Sequence, residues 1–337
     1  MTVSQSELAM IPSVDRVLTE PAVQAMAEQC NLSLIKDLLR SVLDTVREAL
    51  VNGNVEAFDR EVLIDITIVE LRRQLENLLS SNLKRVVNAT GIILHTNLGR
   101  APLPKEAIDQ IRETAGGYNN LEVDLESGRR GSRTTIVEEM LCLLTGAEAA
   151  AVVNNNAAAV LITLNTLALD REVIISRGQL IEIGDSFRIP DIMTRSGVRM
   201  VEVGTTNRTH LEDVEQAISA RTGLLMAIHP SNYQVLGFAS DVPLSELVAL
   251  GHRQGLPVAH DLGGGVLIDL REFGLPYEPV VSESVSAGAD VVCFSGDKIL
   301  GGPQAGILVG NKDVIEQIRR NPLMRAVRCG KLTYAAL

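Results

Sequence analysis

The chain lacks any long apolar run. Its hydrophobic stretches are short and interrupted, although 46% of its 337 residues are hydrophobic, so nothing in it is long enough to span a membrane. The polar, acidic N-terminus has no basic segment followed by an apolar one, which excludes a recognisable signal peptide. Positive charge is in deficit: the formal net charge is −11, which removes any global electrostatic case for nucleic-acid binding. Paired cysteine spacing is also missing. The four cysteines (Cys30, Cys142, Cys293 and Cys329) are scattered, and Cys142 and Cys293 lie in apolar runs. Small buried residues in a reducing compartment are therefore expected, rather than disulfides or a zinc site. Together these absences point to a soluble, cytoplasmic chain.

What is present falls into two regions. Residues 1–80 read as a small helical domain. From Ser33 to Leu50 apolar residues recur at helical spacing, Asn52-Gly53 closes the run, and a second, similarly amphipathic stretch spans about Val62 to Leu79. No glycine-rich turn or catalytic cluster occurs there. Residues 81–337 change character. Short β-branched runs begin at Ala150, Glu172, Arg199, Gly223, Leu256, Asp290 and Gly306, and helical segments such as Ala157–Leu169 and Leu211–Ala220 separate most of them. That alternation predicts an α/β domain with a mainly parallel sheet covered by helices. Ligands bind such sheets beyond the carboxyl ends of the strands, so the residues just after each run are the ones to inspect.

Three such places carry chemistry. After Ala150-Val-Val-Asn comes Asn155-Asn156-Ala157, opening a helix whose N-terminus suits an anion; the plainer reading is an Asn-capped helix. After Leu256-Pro-Val-Ala-His comes Asp261, followed by three glycines. A carboxylate there suits a protonated ring nitrogen, and the plainer reading is a turn. After Asp290-Val-Val-Cys-Phe comes Ser295-Gly-Asp297-Lys298 and a glycine-rich turn. A partly desolvated lysine at that place has a lowered pKa and a free amine for Schiff-base chemistry; the plainer reading is a solvated lysine. No Gly-Lys-Ser/Thr tripeptide closes the turn, so it is not a P-loop. The order of anion turn, Asp261 and Lys298 with upstream Ser295 is that of the aspartate-aminotransferase-like, fold type I class of pyridoxal-phosphate (PLP) enzymes.

Longer motifs carry a narrower resemblance. The stretch from Arg85 through Asn88-Ala-Thr-Gly and His95-Thr-Asn-Leu-Gly-Arg100 resembles the opening signature of the bacterial selenocysteine synthases, the L-seryl-tRNA(Sec) selenium transferases. So do Glu126-Ser-Gly-Arg-Arg-Gly-Ser-Arg133, Ile181-Glu-Ile-Gly through Asp191, Ser231-Asn-Tyr, Phe294 through Lys298, and the N-terminal Ile11-Pro-Ser-Val-Asp-Arg-Val-Leu. The resemblance implies conversion of seryl-tRNA(Sec) to selenocysteinyl-tRNA(Sec) with selenophosphate, through a PLP-bound aminoacrylyl intermediate. It implies PLP on Lys298, with Asp297 assisting catalysis, and Asp261, Ser295, Asn155, Asn156 and Ala157 around the cofactor. It further implies Arg100, Arg325 and Arg328 on the selenium donor, tRNA recognition by the helical N-terminal domain, and a ring-shaped decameric homo-oligomer.

The segment 319–337 holds five basic residues and no acid. Arg325 and Arg328 share a face if helical, whereas Arg319, Arg320 and Lys331 read as a solvated basic face. Residues 1–80 carry seven basic and thirteen acidic side chains, an unusual balance for a tRNA-binding region. Asp185, His229-Pro230 and the third glycine of Gly263-Gly-Gly depart from the family pattern. The chain also stops inside a helical pattern, where the family continues into a small C-terminal domain. Two other readings share part of this evidence: a PLP-dependent lyase acting on a free amino acid or amino sugar phosphate, and a catalytically inactive RNA-binding relative.

Overall fold

The computed structural model describes residues 8–52, 59–183 and 187–337. The chain divides into two compact units, Met1–Val87 and Asn88–Leu337.

The first unit is helical. Ser13 caps the helix Val14–Leu18 by accepting from the Arg16 amide, and Asn31 caps Leu32–Val51 by accepting from Ser33. In the latter, Ile35, Leu39, Val42, Leu43, Val46 and Leu50 are buried, the stripe expected of an amphipathic helix. Asn52 ends it, and Gly53 lies outside the described residues. The helix Arg60–Leu79 departs from expectation. It buries Leu63, Ile64, Leu71 and Leu75, yet leaves Val62, Val69, Leu78 and Leu79 exposed, so its apolar residues do not gather on one side.

The second unit is built on a seven-stranded sheet. Its strands are β1 (Ala149–Val153), β2 (Glu172–Ser176), β5 (Arg199–Val203), β6 (Thr222–Ile228), β7 (Val258–Gly263), β8 (Val291–Ser295) and β9 (Gly306–Gly310), in the order β1-β9-β8-β7-β6-β2-β5. The intervening β3 (Glu182–Ile183) and β4 (Phe187–Arg188) form a small separate hairpin. All seven apolar runs of the sequence became strands of the one sheet. Pairing is parallel from β8 to β5, and only β9 runs against its neighbours.

Side chains alternate across the sheet, as the period of two requires. Ala150, Val152, Ile174 and Leu225 face one core, and Ala149, Ala151, Val153, Val173 and Ile175 face the other. Helices cover both faces, which explains why the strands read as nearly unbroken apolar runs. Gly306 stands where β9 meets the end of β1. A Cβ there would collide with the backbone carbonyl of Asn155, so only glycine lets the two chains pass.

Candidate active site

The residues expected around the cofactor lie at the carboxyl ends of β1, β7 and β8. Asp261 lies in β7, 7% exposed. Its Oδ1 accepts from Asn156 Nδ2 at 2.8 Å and from the Gly263 amide at 3.1 Å. Its Oδ2 accepts no hydrogen bond among the described residues. Burial raises the Asp261 carboxyl pKa, while the donations from Asn156 and Gly263 and the charge of Lys298 oppose that rise.

Lys298 follows β8 on a turn that opens Ser295-Gly-Asp, and its amine makes no hydrogen bond or ion pair among the described residues. Burial lowers its pKa below the usual lysine value and Arg100 lowers it further, against the pull of Asp261 and Asp297. Gly263 adopts φ +65°, and a Cβ there would lie 3.7 Å from Lys298 Nζ and 3.4 Å from Ser231 Oγ. Those are ordinary contacts; it is the left-handed backbone that calls for glycine, and it brings β7 alongside the lysine. Ser295 is 4% exposed at the end of β8, with no side-chain hydrogen bond among the described residues.

The turn after β1 divides its work. Asn155 caps the helix Asn156–Ala168 by accepting from the Ala158 amide at 2.8 Å, which is the plainer of its two readings. Asn156 turns its amide to Asp261, leaving its own buried Oδ1 without a partner. The amides of Asn156 and Ala157 head the helix and donate to nothing among the described residues. They are the groups an anion would take.

The arginines separate. Arg325 and Arg328 line one pocket of about 340 Å³ together with Arg130, Arg133 and Arg319. They do not share a helix face: the helix Met324–Val327 ends before Arg328, which is extended and bridges Val153 at the edge of the sheet. Strand pairing there outcompetes the helical spacing. Arg100 lines a different place, its NH1 lying 3.1 and 3.0 Å from the two oxygens of Asp297.

Two of the residues read as solvated are not. Arg319 is paired with Glu138 and Glu316 and donates to the Ala150 carbonyl, at 19% side-chain exposure. Lys331 donates to the Thr114 and Gly117 carbonyls at the end of the helix Lys105–Ala115. Cys142 is only partly buried, whereas Cys293 and Cys329 are buried.

Other residues of the site carried no assignment from sequence. Ser231 sits beside Gly263, and its neighbours Asn232 and Tyr233 fasten that loop by donating to the Glu182 and Gly178 carbonyls. His229 lies 3.2 Å from Glu278 and donates its amide to the Asp261 carbonyl. Both follow β6, and a strand end was the available signal. Asp185 lies outside the described residues. A cavity of about 250 Å³, lined by Ser176, Thr205, Thr209 and Tyr233 among others, touches none of the predicted site residues. No described helix is long and apolar enough to cross a membrane.

These residues fit PLP. Among the described residues, a buried carboxylate with one oxygen anchored and the other unpaired suits a ring N–H, free amides head a helix where a phosphate would lie, and an unpaired amine lies beside a glycine. A D-glucosaminate-6-phosphate ammonia-lyase has a similar structure, with TM-score 0.60 and 23% identity over 78% of this chain and 68% of that one. An aspartate aminotransferase from Thermotoga maritima gives TM-score 0.51 and 16% identity over 70% and 62%. The fold is that of the PLP-dependent, fold type I enzymes.

Sequence comparison narrows the class. Residues 86–337 match the L-seryl-tRNA selenium transferase family, and residues 8–47 match the selenocysteine synthase N-terminal family. The chain is 49% identical over 331 residues to the L-seryl-tRNA(Sec) selenium transferase of Carboxydothermus hydrogenoformans, covering 98% of this chain and 70% of that protein. It is 51% identical over 332 residues to that of Geotalea daltonii, covering 98% and 71%. The chain belongs to the L-seryl-tRNA selenium transferase family.

Proposed function

We propose that this chain converts L-seryl-tRNA(Sec) to L-selenocysteinyl-tRNA(Sec) with selenophosphate, using PLP held on Lys298. The observation that carries the reading is the Lys298 amine, unpaired among the described residues, beside Gly263 two residues after the buried Asp261, in a family of selenium transferases. PLP, when bound, supplies an electron sink for the substrate Cα. Asp261 holds the ring nitrogen, with Asn156 and the Gly263 amide fixing its carboxylate. The Asn156 and Ala157 amides take the phosphate, and Ser295 borders the site at the end of β8.

Lys298, with its lowered pKa, is unprotonated more readily than a solvated lysine and moves the proton at Cα. Asp297 assists from the adjacent position. Arg325 and Arg328 gather the selenophosphate oxyanion in the arginine-lined pocket, where delocalised guanidinium groups suit phosphate geometry. Arg100 meets the donor at Asp297. The N-terminal unit contacts the tRNA, and the enzyme works in the cytoplasm as a homo-oligomer. Exposed Ile93, Tyr118, Leu125 and Leu143 support association between copies.

Single-turnover conversion of seryl-tRNA(Sec) with selenophosphate tests the reading, and selenocysteinyl-tRNA(Sec) is the expected product. Turnover of a free amino acid or amino sugar phosphate instead, with the tRNA untouched, would move the assignment to a lyase. In Lys298→Ala the visible absorbance of the lysine-bound cofactor is expected to vanish; an unchanged band would remove Lys298 from its role.

A further inference from the structure

Arg100 reaches Asp297 across 197 residues of sequence, and the contact is incomplete. A single nitrogen, NH1, serves both carboxylate oxygens, at 3.1 and 3.0 Å, while Nε and NH2 donate to nothing among the described residues. One shared N–H nitrogen holds a carboxylate less firmly than the parallel two-nitrogen fork that arginine can offer. The arginine side chain is 29% exposed and Asp297 14%, so the pair is not sealed from solvent.

The backbone beneath this pair is fixed. Gly99 and Arg100 both have left-handed φ, +89° and +60°, and the Arg100 amide donates to the His95 carbonyl at 3.1 Å. A non-glycine residue there is uncommon and is held by its surroundings. The next amide, Ala101, donates to the Asp297 carbonyl at 3.3 Å. The turn therefore keeps its place on Asp297 whichever way the Arg100 guanidinium points.

We propose that Asp297 and the oxyanion of the selenium donor compete for Arg100, so that donor binding strips Asp297 of its counter-ion beside Lys298. This rests on the reading of Arg100 as a donor-binding residue. A multiply charged phosphate-type anion offers more acceptors than one carboxylate and can engage the two idle nitrogens. Once the anion holds Arg100, the carboxylate next to Lys298 faces the lysine without its cation. Arg100 and Asp297 act in opposite directions on the Lys298 proton, so the exchange favours a protonated Lys298 when the donor is in place. The arrangement ties the lysine's proton to arrival of the nucleophile.

The test is binding of inorganic phosphate to the PLP-loaded enzyme, followed by calorimetry, with the visible cofactor band as a check on folding. Asp297→Asn removes the competitor and is expected to tighten phosphate binding about tenfold, the range of an ordinary coupling between sites. Arg100→Met is expected to weaken it, and in the double variant the gain from Asp297→Asn disappears. Arg100→Gly, comfortable in the left-handed backbone, replaces Arg100→Met should that variant fail to fold. Unchanged or weaker binding in Asp297→Asn overturns the competition, as does a gain that persists in the double variant. Should Arg100→Met bind phosphate as the unmodified enzyme does, the donor-binding reading of Arg100 fails instead.

Discussion

Asn156 and Asp261, 105 residues apart in sequence, meet through a 2.8 Å hydrogen bond from the asparagine amide to the carboxylate. The first residue of a helix on one strand end thereby sets the orientation of the key acid on another. Together with the Gly263 amide it fixes Oδ1, while Oδ2 accepts no hydrogen bond among the described residues.

Asn156→Ala should therefore weaken PLP binding about tenfold or more, since a hydrogen bond to a charged group contributes about 1.5–3 kcal/mol and about 1.4 kcal/mol is a factor of ten. Asn156→Asp should cost more, because two buried carboxylates in contact cannot both ionise and one must take a proton. Titrating the apoenzyme with PLP and following visible absorbance measures both. Equal affinities in the three proteins would reduce the contact to packing.

Lys298 stability runs against its function. Burial, aided by Arg100, depresses its pKa in the folded chain. Between that lowered value and the ordinary lysine range the unfolded chain binds the extra proton, so stability rises with pH through this window. Below the window both states are protonated and the folded chain bears the full cost of a buried ammonium. Lys298→Met should stabilise the apoenzyme by about 1 kcal/mol near neutral pH, in line with other functional-site replacements. The difference should shrink as pH approaches about 10, where the lysine is losing its charge in the unfolded chain too. Urea unfolding at several pH values checks this; a constant difference would contradict it.

Arg319 and Arg320 are neighbours with opposite fates. Arg319 joins the helix Lys312–Arg320 to Glu138 and to the Ala150 carbonyl of β1, while Arg320 is exposed. Arg319→Ala leaves Glu138 partly buried without its partner and should cost about 2–3 kcal/mol. Arg320→Ala should stay within about 0.5 kcal/mol. Denaturant midpoints of the two variants make the comparison.

Most strands were legible because they are runs of β-branched and apolar residues buried on both faces, from Ala150-Val-Val to Gly306-Ile-Leu-Val; the edge strand β5, largely exposed, was legible from its alternation alone. Asp261 and Lys298 were legible for a related reason: they sit in or just past such runs, where ligands meet a sheet of this kind. Long-range pairings were not. Asn156 reads equally well as a helix cap or an anion ligand until β7 is known to lie beside it. Arg319 and Arg328 look alike in a basic segment, and only the edge strand β1 separates them: Arg319 meets its Ala150 carbonyl and Arg328 bridges its Val153. The helix Arg60–Leu79 has the composition of an amphipathic helix, but its Val62, Val69 and Leu79 fall off the buried stripe.

The N-terminal unit sets the last expectation. Of the seven basic residues in 1–80, Arg16, Arg40, Arg47 and Arg73 are already paired with Glu20, Asp37, Asp44 and Glu70. Arg60 donates to the Ala9 carbonyl, which leaves Lys36 and Arg72 the least committed to partners among the described residues. Among the described residues few cations are free to neutralise phosphates, so the tRNA recognition proposed for this unit would lean on shape and 2′-hydroxyl contacts. Each neutralised phosphate adds about 0.7–0.9 to the slope of log affinity against log salt. Mutating Lys36 and Arg72 together to alanine should lower that slope by about 1–2 and weaken binding of seryl-tRNA(Sec) while leaving cofactor absorbance untouched. Filter binding between about 50 and 200 mM salt supplies the measurement. An unaltered slope would mean that the phosphates are held elsewhere in the chain, with the acidic helices taking no part in charge recognition.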